Sequence, residues 1–196
     1  MSGFWEESWK TIDSRRIAAY VGGFPLESDS IIEYLHSCSV KTVCDAGCGC
    51  GAYGLKLAAN GFEVSGFDVS VDAVKIAKNV VENAGFAAKW KVASVLSTGY
   101  AENSFDGVVS RDVLDHMGKE AGKLAVRELL RITRPGGCLV FTLDGLDEEY
   151  ETEPHFVNSQ GDFVFTGGKW EGMVFHPYTQ AEVLELLPDG VNYEVE

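Results

Sequence analysis

Basic residues are scarce in this sequence: sixteen Lys and Arg stand against thirty Asp and Glu, a net charge of −14. A surface of that sign repels a polyanion, which argues against nucleic acid as a partner. Long apolar runs are also lacking. None reaches the ~20 residues that cross a bilayer, so no membrane partner is expected. The first ten residues, MSGFWEESWK, are acidic and aromatic and have no apolar centre of the export-leader kind. The expected location is cytoplasmic. Histidine is rare, and neither clustered histidines nor a distant C-x-x-C accompanies the pair Cys48 and Cys50. No metal is expected there; two small side chains filling a tight loop is the better account. With Cys38, Cys44 and Cys138, these cysteines do not form a secreted disulfide pattern. Internal repeats and low-complexity segments are missing as well.

What remains is a chain of 196 residues, 45% hydrophobic, long enough for one domain with a substantial core. Residues 1–35 read as a helical amino-terminal extension or lid, with Asp13 capping one piece and Ser28 or Asp29 starting another. A core over 40–143 alternates strands and helices. Strands are expected at Lys41–Ala46, Phe62–Phe67, Ala87–Val92, Phe105–Ser110 and Cys138–Leu143. Helices fall between them, at Ala52–Asn60, after a Ser70 cap, and at Lys119–Thr133. Pro135-Gly136-Gly137 stops the last of these. Strands apolar on both faces imply a mostly parallel α/β sheet covered by helices. Residues 144–178 break the alternation, as an acidic loop followed by a hairpin of Asp162–Phe165 and Gly172–Phe175 over the sheet edge. A helix at Thr179–Leu187 and a strand at Asn192–Val195 close the chain.

The richest segment is Val43 to Asp68. Gly47, Gly49 and Gly51 let the backbone turn steeply and let a ligand approach where any Cβ would intrude. Gly47, Gly49 and Ala52 also fit a loose G-x-G-x-x-A pattern, with Asp68 at the distance that holds a ribose diol. Glycine spacing alone therefore leaves a nicotinamide-dependent oxidoreductase open. Asp45 shifts the weighting. Beside a pyrophosphate it is repulsive, whereas beside an ammonium or sulfonium it is favourable. It can equally serve the loop by accepting backbone N–H groups.

Asp45-Ala46-Gly47-Cys48-Gly49-Cys50-Gly51 resembles the D-x-G-x-G-x-G loop of class I S-adenosylmethionine-dependent methyltransferases, in their small-molecule-like branch. The resemblance continues through Asn103–Val109 and through Leu129–Gly137. It implies a Rossmann-like fold with S-adenosyl-L-methionine as cofactor and S-adenosyl-L-homocysteine as product. Asp45, Gly47, Cys48, Gly49 and Gly51 would then form the cofactor loop, and Asp68 would take the ribose. Val69, Ser94 and Val95 would surround the adenine, where many relatives carry an acidic residue instead of Ser94. Arg111 would hold the methionine carboxylate, with Arg16 and Tyr20 closing over that end. That family's sheet usually ends in two further strands; here only one is visible, so the carboxyl-terminal pair reads as incomplete or altered. An edge exposed in that way favours a homodimer.

Methyl transfer is an in-line displacement, so alignment and desolvation matter more than an acid/base pair. His116 and His176 are the candidate bases should the acceptor be a hydroxyl. Trp5, Trp9, His155, Phe156, Trp170, His176 and Tyr178 would cover an acceptor, or else simply extend the core. A small molecule is the expected acceptor, with a protein substrate kept open. The rival of another class is a non-catalytic S-adenosylmethionine-binding or protein-interaction module.

Overall fold

Apolar side chains on both faces drive the central strands inward. Val43, Cys44 and Ala46 on β1 (Thr42–Ala46), and Val108 and Val109 on β4 (Phe105–Arg111), are fully buried. The computed structural model describes residues 3–146 and 148–194. In it β1 pairs in parallel with β2 (Glu63–Asp68) on one side and with β4 on the other. β3 (Ala88–Val92) adds beyond β2, and β5 (Thr133–Thr142) adds beyond β4. The order is β3-β2-β1-β4-β5, all parallel. The chain reverses its direction of travel across the sheet between β1 and β4. A crevice opens at that point, beyond the carboxyl ends of the strands.

Helices cover both faces of the sheet. One layer joins α6 (Lys119–Ile132), through Ala125, Val126, Leu129 and Ile132, to Cys44, Phe67 and Val108. The other joins α3 (Ser30–Ser37) and α4 (Ala52–Ala59), through Ile32, Leu35 and Leu57, to Val43, Val64 and Val109. The capping residues act as the sequence leads one to expect. Asp13 accepts from the Arg15 N–H ahead of α2 (Ser14–Gly22), and Asp29 from Ile32 ahead of α3. Ser70 accepts from Ala73 ahead of α5 (Val71–Asn83).

Three expectations change. Pro135-Gly136-Gly137 does not precede the fifth strand but lies within it. β4 and β5 pair at Phe105 with Thr133 and resume at Gly107 with Cys138, so the intervening residues bulge out. The acidic segment is not wholly loop, because α7 (Glu148–Thr152) forms there around buried Tyr150. The hairpin exists, as β7 (Phe163–Phe165) antiparallel to β8 (Val174–Phe175), but it does not cover the edge of the main sheet. With β6 (His155–Val157) it makes a separate three-stranded sheet. Its apolar face packs with Tyr150, Met173, Phe4 and Trp5.

Among the described residues no strand pairs with the outer edge of β5. Asn192, Tyr193 and Glu194 follow Gly190 (φ +84°) without strand structure; Val195 lies outside the described residues. These residues border a groove along β5 of about 1070 Å³, which Tyr178 also lines. The last helix, α8 (Gln180–Glu185), starts with a capping box between Thr179 and Glu182. No helix among the described residues is long and apolar enough to cross a membrane.

Candidate functional site

The turn between β1 and α4 requires glycine twice over. Gly47 has φ +78°, and a Cβ there would lie 2.5 Å from a methyl of Val113. Gly51 has φ +78°, and a Cβ would sit 2.7 Å from both the Cα and the Cβ of Ala77 on α5. Gly51 therefore faces the helix packed behind the loop and does not line the crevice, unlike Gly47 and Gly49. Gly51→Ala combines left-handed strain of ~1–2 kcal/mol with overpacking of ~1–3 kcal/mol. The expected loss is about 2–5 kcal/mol, a fall in Tm on the order of 10 °C by calorimetry. An unchanged Tm would show that α5 yields without cost.

The loop closes on β2. The Gly47 and Cys48 N–H groups donate to the Phe67 carbonyl, each at 2.9 Å. The Gly49 N–H donates to Asp68 Oδ2 at 3.0 Å, while Asp68 Oδ1 accepts from Ser70 at 2.9 Å. Burial pushes the Asp68 carboxyl above its ordinary range, opposed by these N–H groups. Asp45 is 3% exposed, and its Oδ2 has no hydrogen-bond partner. Burial raises its pKa to about 7; nearby Arg111 works against this and Asp68 adds to it. Two carboxylates thus face the same wall, one with an unsatisfied oxygen. Such a wall favours a positively charged group.

The crevice holds about 1050 Å³. Asp45, Gly47, Cys48, Gly49 and Asp68 line it together with Val69, Ser94, Val95, Arg111, Arg16 and Tyr20. Ser94 Oγ accepts from the Leu96 N–H at 3.2 Å, so its hydroxyl is already engaged in its own turn. The Arg111 guanidinium lies 4.6 Å from the Tyr53 ring centroid, and the Tyr53 hydroxyl is tied to Asp29. Lys56 pairs with the same Asp29 at 2.8 Å.

The aromatic candidates divide. Trp5 and Trp170 line the crevice, bridged by Phe4 at ring separations of 5.0 and 6.3 Å. Trp9 lines it too, but against the glycine loop: a Cβ on Gly49 would be 3.0 Å from its ring. The other four do not line it. His155 stacks on Phe163 within the small sheet, and Phe156 on that sheet is 53% exposed. His176 is buried, with Nδ1 2.8 Å from Asp162 Oδ1, and Tyr178 packs beside it. Neither is placed to act as a base on anything in the crevice. Tyr178 packs against Gly122 of α6 and the His176 N–H donates to the Asp115 carbonyl at 2.7 Å, which keeps the pair out of the crevice lining.

His116 does line the crevice, under Trp5 at 4.8 Å. Burial lowers its pKa to about 4, so the ring is neutral. Its Nδ1 is buried without a partner. Asp112, which the resemblance places with Arg111 near the methionine portion, lines the crevice, whereas the sequence reading missed Val113 and Lys169. Asp112 adopts φ +53°, a conformation that Asp tolerates better than most residues. Its Oδ1 accepts from the Thr142 hydroxyl at 2.6 Å. No local pattern announces this, because its partner lies one strand away.

Residues 43–137 match the family model of a methyltransferase domain. Over those residues the chain carries a methyltransferase domain of the class I S-adenosylmethionine-dependent kind. Among methyltransferases of known name, it is similar to the 2-methyl-6-phytyl-1,4-hydroquinone methyltransferase of Synechocystis sp. The two are 37% identical over 100 residues, 50% of this chain and 30% of that protein. It is 29% identical over 119 residues to the ubiquinone biosynthesis O-methyltransferase of Nitrosomonas europaea, 60% of this chain and 50% of that one. The chain thus spans half or less of the length of these curated relatives.

Solved structures show the same methyltransferase fold. An S-adenosylmethionine-dependent methyltransferase from Methanosarcina mazei superposes with a TM-score of 0.66 at 23% identity, covering 82% of this chain and 83% of its own. The [4+2]-cyclase SpnF superposes at 0.58 and 22% identity, covering 88% and 66%. The methyltransferase fold alone therefore does not fix the reaction.

Proposed function

We propose that this chain binds S-adenosylmethionine and transfers its methyl group to a small apolar acceptor. The observation that carries the reading is the continuous crevice from the Asp45–Asp68 wall to the aromatic wall of Phe4, Trp5 and Trp170. In this reading Asp68 accepts from the ribose hydroxyls, and Val69 and Val95 pack on the adenine with backbone groups near Ser94. Asp45 faces the cationic amino-acid end, and Arg111 takes its carboxylate. Arg16 and Tyr20 close over that end from α2. The acceptor then occupies the aromatic end, where the rings exclude water from the sulfonium.

S-adenosylmethionine would supply an activated methyl group for in-line displacement by the acceptor's lone pair, the C–S electron pair staying on sulfur and the proton of a hydroxyl acceptor leaving to water. Alignment and desolvation supply the catalysis. The relatives named above are a methyltransferase of 2-methyl-6-phytyl-1,4-hydroquinone and an O-methyltransferase of ubiquinone biosynthesis, names that support a hydroxyl-bearing ring as acceptor.

Titrating S-adenosylhomocysteine and NAD side by side by calorimetry tests the cofactor. Binding of the homocysteine derivative alone is expected, and selective binding of NAD would overturn the assignment. Methyl incorporation across a panel of hydroquinones, phenols, amines and thiols then tests transfer. A saturated protein that methylates none of them points to a binding module.

A further inference from the structure

We propose that Asp115, His116 and Asp144 form a divalent-cation site at the acceptor end of the crevice. One donor atom from each residue lies within 4.8 Å of the other two. Ligands each about 2.0–2.5 Å from a common ion stand no more than about 4–5 Å apart, so a single cation fits with small adjustment.

Two buried atoms in this group also lack any partner. Asp115 is 0% exposed, yet its Oδ1 accepts nothing; His116 Nδ1 is in the same position. Buried polar atoms are nearly always satisfied, so orphan atoms on two adjacent residues call for an explanation, and a bound ion is one. The other Asp115 oxygen, Oδ2, accepts the Asp144 N–H at 3.1 Å and stands 3.8 Å from His116 Nε2. The carboxylate is thus fixed between the other two residues.

The topology explains why they converge. Asp115 and His116 lie in the turn after β4, and Asp144 lies just past the end of β5. The two strand ends are laced together by the Asp112 N–H donating to the Thr142 carbonyl at 3.2 Å. Two carboxylates and an imidazole suit Mg²⁺, Mn²⁺ or Zn²⁺. Three protein donors leave at least one coordination position for water or an acceptor oxygen. His116 is the member that lines the crevice, which puts the ion on the wall beside the acceptor. Its catalytic meaning rests on the methyl-transfer reading; its existence does not.

The test uses the intact chain, stripped with EDTA and titrated with MnCl₂, MgCl₂ and ZnCl₂ separately, without cofactor. Free Mn²⁺ is followed by electron paramagnetic resonance and the other ions by calorimetry. One saturable ion per chain is expected, weakened about 10–100-fold by Asp144→Asn and similarly by His116→Gln. Asp144 is exposed, so its variant should keep the parent circular dichroism spectrum and its affinity for S-adenosylhomocysteine. No saturable binding of any of the three ions, or binding that both variants retain, overturns the site. If S-adenosylhomocysteine still binds in that case, only the cation proposal fails.

Discussion

S-adenosylhomocysteine should bind about 50-fold more tightly at pH 7 than at pH 5, while 5′-methylthioadenosine should show no such dependence. The cause is Asp45. In the unliganded protein burial holds its carboxyl protonated up to about pH 7, against an ordinary value of 3.8. Only the ionised form pairs with the α-ammonium of the amino-acid end, so binding releases a proton. The affinity then climbs about tenfold per pH unit below 7 and levels off above it. Methylthioadenosine has the adenosine but no ammonium, so it cancels contributions from every other titrating group that both ligands share. Asp45→Asn should flatten the profile of the first ligand. Parallel profiles for the two ligands would place Asp45 away from the ammonium.

The same group has the opposite effect on the empty protein. A carboxyl whose folded pKa is raised lets the native state hold more protons than the unfolded state between about pH 4 and 7. Stability from this group is therefore full at low pH and declines as the pH rises through that window.

Asp68→Ala should weaken S-adenosylhomocysteine by about 10- to 150-fold, the loss of charge-assisted hydrogen bonds to a diol at ~1.5–3 kcal/mol. The Gly49 and Ser70 N–H groups lose their acceptor in the same substitution, so the apo Tm should fall too. Asp68→Asn keeps an acceptor oxygen and should bind more tightly than the alanine variant. Calorimetry at constant pH separates the two effects. An unchanged dissociation constant for Asp68→Ala would reject the ribose contact.

The glycine-loop half of the crevice is legible because its geometry is local. Gly47 and Gly51 take positive φ within one turn, and the stretch from Asp45 to Asp68 is a single strand–helix–strand unit. Caps such as Asp13, Asp29 and Ser70 are equally local, acting over two or three residues. The acceptor half depends on which aromatic rings share a cluster. Trp5 and Trp170 meet through Phe4, whereas His155 and Phe156, equally aromatic in sequence, stay on the small sheet. His176, by sequence a candidate base and acceptor cover, is taken into the interior by its pairing with Asp162. The Asp115–His116–Asp144 group lies across two strand ends, where sequence spacing carries no signal.

The tryptophans give the protein a built-in optical probe. Three of the four line the crevice, Trp9 on the glycine loop and Trp5 and Trp170 toward the acceptor. Trp90 instead packs behind the sheet against the small faces of Gly54 and Gly66. A change in intrinsic emission on ligand binding therefore reports on the crevice, over a background from Trp90, with no label attached. Trp9→Phe would leave the aromatic-end signal, and the double variant Trp5→Phe, Trp170→Phe the glycine-loop signal, each above a constant Trp90 background. Stopped-flow traces of the two could time the arrival of each ligand separately.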